Sequence, residues 1–116
     1  MDKNGIRPKT KATAIQIAKP ANIIKGLRAL EFTNGVVTQV SDQEMMDGMA
    51  LVGLNGFDCE MASGAVPAGI KKLIVEEIIK KDDVVIGILT GRQKDSSIPV
   101  DYHKNPQNKF ANPPKT

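Results

Sequence analysis

The run VVIGIL at residues 84–89 constrains the fold of this 116-residue chain more than any other feature. Charged residues bound it on both sides, with KKDD at 80–83 before it and RQKD at 92–95 after it. A short continuous apolar run with polar boundaries is typical of a β-strand that is covered on both faces. The sequence therefore predicts a sheet with helices packed against it, and one such strand over residues 84–90.

The first half of the chain predicts one helix followed by one strand. Apolar residues recur at helical spacing over residues 21–33, and Asn34-Gly35 supplies a helix stop. Over residues 35–41 the β-branched residues Val36, Thr38 and Val40 occupy every second position, as expected for one face of a strand. The apolar stretch at 12–18 is too short to distinguish a strand from a helix.

A second helix is predicted from its start signal. The sequence SDQE at 41–44 is a capping box, in which the serine oxygen accepts from the N3 amide and the glutamate reaches back. The helix that follows places Met45, Met46 and Met49 on one face and ends at Asn55-Gly56. We interpret the methionines as a core face, since flexible thioethers fill irregular gaps well.

A third helix is predicted after residues 57–61, which we expect to be a very short strand or an extended segment. Ser63 is expected to cap this helix, and Pro67 to lie in its first turn, where a missing N–H is tolerated. Its predicted core face is formed by aliphatic residues at helical spacing: Val66, Ile70, Leu73, Ile74 and Ile78.

The resulting order of helices alternating with strands indicates an α/β fold with a largely parallel sheet, as part of a three-layer αβα, Rossmann-like domain. We divide the chain into a loop or extension at residues 1–11, an α/β portion at 12–91, and an irregular tail at 92–116. In parallel sheets, ligands bind beyond the carboxyl ends of the strands. Thr90 stands at such an end, directly before Gly91.

Composition excludes several classes of protein. Sixteen basic and 13 acidic residues give a net charge of +3, with the two signs interspersed, and aromatic residues make up only 3%. This pattern is not that of a nucleic-acid-binding surface. No apolar run is long enough to span a membrane. The single Cys59 forms no intrachain disulfide and predicts no metal site, so we expect a cytoplasmic protein.

Thr90 and Gly91 are the candidate site residues, and two interpretations remain open on spacing alone. A Thr-Gly pair after a strand is common turn chemistry, or it presents a hydroxyl to a ligand. The chain shows no arrangement of nucleophile, base and orienting group, so we predict no catalytic residue in it.

Five stretches carry a more specific pattern: RPKTKATAIQIAKPAN (7–22), LRALEFTNGVVTQVSDQEM (27–45), EMASGAVPAGIKKL (60–73), VVIGILTGRQKD (84–95) and FANPP (110–114). In this order they resemble the C-terminal third of the threonine synthase family. These are pyridoxal-phosphate (PLP) enzymes of fold type II, related to tryptophan synthase β. The family converts O-phosphohomoserine and water to L-threonine and phosphate.

The resemblance implies a role for three residues. Thr90 matches the threonine that hydrogen-bonds the pyridine nitrogen of the cofactor, Gly91 lets the backbone pass close by, and Ala14 matches a segment near the ring. A hydroxyl donates to an unprotonated nitrogen without holding a pyridinium, and so moderates the cofactor as an electron sink.

The resemblance also implies what lies elsewhere. None of the lysines stands in the family's SFKD-like Schiff-base motif, and no GNAG-like phosphate loop is present. We therefore expect a C-terminal fragment that is inactive alone, leaves cofactor unbound, and either pairs with the remainder of the enzyme or self-associates. The alternatives are a fragment of threonine dehydratase, cysteate synthase or a diaminopropionate lyase, or a non-enzymatic α/β assembly module.

Overall fold

The computed structural model describes residues 8–92. Within that range the elements are a 3-10 turn and three α-helices: the turn Thr13–Ile15, α1 (Ile23–Thr33), α2 (Asp42–Leu54) and α3 (Met61–Val75). The chain divides between Gln39 and Val40 into two compact units. None of the helices described is long and apolar enough to cross a membrane.

Helix α1 ends where the sequence predicts, through a Schellman motif. Asn34 adopts the left-handed conformation, with φ 50° and ψ 39°. The Gly35 N–H donates to the Leu30 carbonyl at 2.8 Å, and the Asn34 N–H donates to the Glu31 carbonyl at 3.4 Å. These two bonds satisfy carbonyls that the helix end would otherwise leave unpaired.

The apolar stripe of α1 is exposed. None of its residues is buried, and Ile23, Ile24 and Leu27 have exposed fractions of 45%, 59% and 56%. The predicted helix is therefore confirmed, but its stripe is a surface of the described chain and not part of a core.

The predicted capping box at the start of α2 is confirmed in full. The Ser41 Oγ accepts from the Glu44 N–H at 3.2 Å, and the Ser41 N–H donates to the Glu44 carboxylate at 2.6 Å. The Ser41 hydroxyl also donates to the same carboxylate, at 2.8 Å. The backbone bond and then the side-chain bond from Ser41 lower the pKa of Glu44 below 4.5. The helix start thus depends on an ionised glutamate.

Helices α2 and α3 pack against each other at a glycine contact. A Cβ on Gly48 would overlap the Gly64 carbonyl oxygen, and it would lie 3.0 Å from the Pro67 ring. A Cβ on Gly64 would overlap the carbonyl oxygen of Met45. The two backbones therefore touch directly. Around this contact the methionine face of α2 is buried as predicted, with Met45, Met46 and Met49 at 9% exposure or less.

The close approach explains why the predicted core face of α3 is wrong. The helix buries small residues and Met61 instead: Met61, Ser63, Gly64, Ala68 and Gly69. Of the aliphatic residues predicted for the core, Ile74 and Ile78 are 52% and 48% exposed, and the other three are half-buried: Val66, Ile70 and Leu73. Helices that touch through glycine leave no room between them for branched side chains, so the bulky residues lie outside the contact.

The predicted start of α3 is also wrong. The helix begins at Met61 with Glu60 as its N-cap residue, and no side chain caps it. Consequently Ser63 lies within the helix, and Pro67 lies inside it and not in the first turn. The Glu60 N–H instead donates to the Gly91 carbonyl at 3.0 Å, so a contact distant in sequence determines where the helix begins.

The predicted strands at 35–41 and 84–90 are absent from the structure, residues 57–60 form no strand either, and no sheet forms within residues 8–92. A strand requires a neighbouring backbone that forms a ladder of hydrogen bonds, and in the described range the bond from Glu60 to Gly91 is not continued into such a ladder. The apolar side chains of the last segment are correspondingly exposed, Val84 at 93% and Ile86 at 85%. The described fold is therefore a small helical one, which is compatible with being part of an α/β enzyme.

The first prediction concerns the glycine contact. We expect Gly48→Ala and Gly64→Ala each to lower the free energy of unfolding by about 2 kcal/mol, because the new methyl group overlaps backbone atoms that cannot move independently. Gly53→Ala is the matched control in the same helix, since a Cβ there meets nothing within 4 Å. It should raise stability by up to about 1 kcal/mol. Urea unfolding measures all three, and equal effects at Gly48 and Gly53 would contradict the contact.

The second prediction concerns the capping box and pH. Because the folded state lowers the pKa of Glu44, its contribution to stability is complete well above 4.5 and is lost as pH falls through the lowered value. Urea unfolding across this range should show a smaller acid-induced loss for Glu44→Gln than for the wild type. Ser41→Ala should have the same effect, at a cost of about 1 kcal/mol near neutral pH. Strictly additive effects in the double variant would contradict a shared interaction.

Candidate functional site

Segment 84–91 runs along α3 in the opposite direction and ends at the first turn of that helix. A Cβ on Gly87 would lie 2.9 Å from the Val66 side chain and 3.3 Å from that of Ile70. Further along, Thr90 and Gly91 contact Ser63 and Glu60. The two predicted site residues are therefore fixed to the N-terminal end of a helix that is itself packed against α2.

Ser63 makes the contact at this end of the segment. Its Oγ accepts from the Thr90 N–H at 3.1 Å and from the Gly91 N–H at 3.2 Å. The same oxygen lies 3.4 Å from the Thr90 hydroxyl and 3.4 Å from the Gly91 carbonyl. Ser63 is 1% exposed, so these groups satisfy a side chain that water does not reach.

Glu60 occupies the space beside Gly91. Its N–H donates to the Gly91 carbonyl, and its carboxylate lies so close that a Cβ on Gly91 would overlap it. The family resemblance implies a glycine at this position that lets the backbone pass close to the cofactor. In the structure the group that approaches is the Glu60 side chain.

The three predicted cofactor-contact residues are divided between the two units. Thr90 and Gly91 adjoin each other in the second unit, and the Thr90 side chain is exposed. Ala14 is exposed in the 3-10 turn of the first unit. Their roles toward a cofactor stay predictions. Residues 93–116, which include most of the predicted tail, lie outside the described residues.

Sequence reasoning missed the parts that Ser63 and Glu60 play. The sequence predicts Ser63 as a helix cap and Glu60 as a surface or cap-stabilising carboxylate. The local sequence places both residues at a helix start. Their hydrogen-bond partners, Thr90 and Gly91, are about thirty residues away in the chain. The available signal was the presence of two stretches that both resemble the family, EMAS at 60–63 and LTG at 89–91.

Cys59 lies next to this site and is not a reactive thiol. It is free and 2% exposed. Burial, and after it the charges of Asp58 and Glu60, raise the pKa of the Cys59 thiol above 9.0. It therefore stays protonated at neutral pH, and a thiol is a poor nucleophile and metal ligand. Within residues 8–92, no group of three or more His, Cys, Asp or Glu side chains could hold a metal ion.

Arg92 closes the described segment with an exposed ion pair to Asp58, at 3.8 Å. Both side chains are largely in water, at 83% and 55% exposure, so the pair adds at most about 1 kcal/mol. The position of Thr90 therefore depends on the buried serine and not on this surface pair.

Comparison with known proteins finds the same relationship in several organisms. The chain is 37% identical over 101 residues to threonine synthase from Methanosarcina acetivorans, a match that covers 85% of this chain. It is 39% identical over 85 residues, or 72% of the chain, to threonine synthase from Methanocaldococcus jannaschii. It is 31% identical over 110 residues, or 90% of the chain, to threonine synthase 2, chloroplastic, from Arabidopsis thaliana. No family model matches, and no solved structure matches significantly.

The class of protein to which the chain is similar is thus that of enzymes, and all three relatives are named threonine synthase. More particularly, the matches support a threonine synthase fragment, because the similarity covers most of the chain. The chain spans about a quarter of the length of the relatives, 25% of the first and 21% of the second. The resemblance to threonine synthase is thus confirmed, whereas the fold type II assignment stays a prediction.

The third prediction concerns Gly91. We expect Gly91→Ala to lower the free energy of unfolding by only about 0.5–1 kcal/mol, because the methyl group overlaps the flexible end of the Glu60 side chain, which must turn away and lose rotamer freedom. Truncating that side chain in Glu60→Ala/Gly91→Ala should recover most of the loss. Gly26→Ala, where a Cβ meets nothing within 4 Å, is the control and should not destabilise the protein. A neutral Gly91→Ala, or a double variant that is simply additive, would contradict the contact.

Proposed function

We propose that this chain forms one wall of the cofactor site of a threonine synthase, which converts O-phosphohomoserine and water to L-threonine and phosphate. Two observations support the proposal. The similarity to threonine synthases extends over 72–90% of the chain. In addition, an exposed threonine lies at the end of the most apolar segment, and its N–H is hydrogen-bonded to a buried serine in the first turn of a helix.

The residues present fit one contact with PLP. The Thr90 side chain is exposed, and its hydroxyl can donate a hydrogen bond to an unprotonated ring nitrogen. The backbone on either side of that hydroxyl is held by Ser63, so the side chain projects from a fixed point. We assign neither the Schiff-base lysine nor the phosphate-binding loop to this chain. We therefore expect the chain alone to be inactive.

When bound, PLP supplies an electron sink for the substrate's reacting carbons. The part of this chain is to hold a neutral donor against the ring nitrogen. Because a hydroxyl has a far higher pKa than a carboxyl group, Thr90 keeps its proton and leaves the nitrogen unprotonated. Gly91 keeps the backbone after Thr90 close to α3, since its missing side chain leaves room for Glu60. Ala14 is proposed to lie near the ring, as the family resemblance implies.

The remainder of the enzyme is the partner that we propose for the exposed apolar segments. Val84, Ile86 and Ile88 are 70–93% exposed, and no neighbouring backbone pairs with segment 84–89 within residues 8–92. We propose that this segment is completed as a strand of a largely parallel sheet, in a three-layer αβα domain of fold type II. Self-association through the same segment is the alternative outcome.

Other reactions of this enzyme group, and a non-enzymatic assembly module, are not favoured, because the three relatives are all named threonine synthase.

The fourth prediction tests the function in a chimera. Replacing the matching quarter of the Methanosarcina acetivorans enzyme by this chain should give a protein that binds PLP and releases phosphate from O-phosphohomoserine. The 116-residue chain alone should do neither. Thr90→Ala in the chimera should lower kcat/KM by about tenfold to a hundredfold, the loss expected for one hydrogen bond in a dry site.

Thr33→Ala is the matched control, since the Thr33 hydroxyl is exposed and donates only to the Ala29 carbonyl of its own helix. It should leave kcat/KM unchanged. If the isolated chain converted O-phosphohomoserine, the Schiff-base lysine would have to lie within it. Our assignment of that lysine to another region of the enzyme would then be wrong. A Thr90→Ala chimera with wild-type kinetics would overturn the cofactor contact.

A further inference from the structure

We propose that Ser63 is a positioning residue that makes the Thr90 hydroxyl a hydrogen-bond donor toward the cofactor. The inference rests on the function proposed above and assigns a part to Ser63, for which the family resemblance implies no role. Its basis is the set of hydrogen bonds around one buried oxygen.

A serine hydroxyl has two acceptor lone pairs and one O–H donor. At Ser63 both lone pairs are used, by the Thr90 N–H at 3.1 Å and the Gly91 N–H at 3.2 Å. The Ser63 oxygen therefore cannot also accept from the Thr90 hydroxyl, which lies 3.4 Å away. The Ser63 proton points to one of two acceptors, the Thr90 Oγ1 or the Gly91 carbonyl, both at 3.4 Å.

Either direction has the same consequence for Thr90. Its own proton cannot be directed at Ser63, so it is available to a group on the exposed side. An unprotonated ring nitrogen is an acceptor and requires such a donor. If the Ser63 oxygen were free to accept, the Thr90 proton could turn inward, and a lone pair would face the ring nitrogen instead.

Burial and packing hold this arrangement in place. Ser63 is 1% exposed, so water does not compete for its lone pairs. The next residue, Gly64, touches the backbone of α2, which prevents the first turn of α3 from moving independently. The position of Thr90 is therefore determined by the helix pair through a single side chain.

The fifth prediction tests the Ser63 contact in the 116-residue chain without cofactor. Ser63→Ala removes the acceptor of two amides, so hydrogen exchange at the Thr90 and Gly91 amides should accelerate about tenfold. Exchange is measured by NMR and corrected for global stability with the amides of the α2 core. Ser41→Ala is the matched control: it weakens α2 but should not selectively affect Thr90 or Gly91.

Ser63→Cys separates hydrogen bonding from packing, because sulfur fills similar space but accepts weakly. Intermediate acceleration is expected. It also carries the test if Ser63→Ala does not fold. Exchange at both amides that is unchanged in the alanine variant, or in the cysteine variant if only that one folds, would overturn the contact.

In the chimera loaded with PLP labelled with ¹⁵N in the ring, the ring-nitrogen chemical shift reports the hydrogen bond directly. Ser63→Ala should move the resonance in the same direction as Thr90→Ala, and Ser41→Ala should not move it. A ring-nitrogen chemical shift that is unchanged in Thr90→Ala would overturn the proposed cofactor contact. A chemical shift that changes in Thr90→Ala but not in Ser63→Ala would overturn only the positioning role of Ser63.

Discussion

The contact between Gly48 and Gly64 is the constraint on which the second unit depends. Two helix backbones that touch directly exclude side chains from the contact, and each glycine allows this because a Cβ would overlap a carbonyl oxygen of the other helix. The contact determines which residues surround it. Flexible methionines from α2 fill the space on one side, and small residues of α3 lie on the other. The same approach buries Ser63, and a buried hydroxyl must find partners within the protein.

The candidate site follows from that requirement. Ser63 obtains its partners from the backbone at Thr90 and Gly91, while Glu60 binds the Gly91 carbonyl. The end of segment 84–91 is thereby hydrogen-bonded to the start of α3. Within residues 8–92 no sheet takes part in this contact. The threonine in this position is exposed while its backbone is held by a buried residue, which is what the proposed cofactor contact would need.

Features determined by neighbours in the sequence were predicted correctly, and those determined by distant residues were not. The capping box at 41–44 and the stop at Asn34-Gly35 are closed by hydrogen bonds within five residues, so the local sequence contains all their atoms. The start of α3 depends on Gly91, and its buried face depends on Gly48. The strands were inferred from apolar runs, which require partners that residues 8–92 do not provide. For the site, the family resemblance supplied Thr90 and Gly91, but only the three-dimensional contact revealed Ser63.

The exposed segment 84–89 has a consequence for the behaviour of the chain during synthesis and storage. Six residues rich in Val and Ile, without proline or charge, match the composition that stacks into cross-β aggregates. The flanking charges at 80–83 and at Arg92 serve as gatekeepers, because stacking in register would bring like charges together. Gly87 lowers the β-propensity in the middle of the run. The apolar segment 84–89 thus remains available to pair with the partner proposed above, while the flanking charges and Gly87 oppose its aggregation with other copies of the chain.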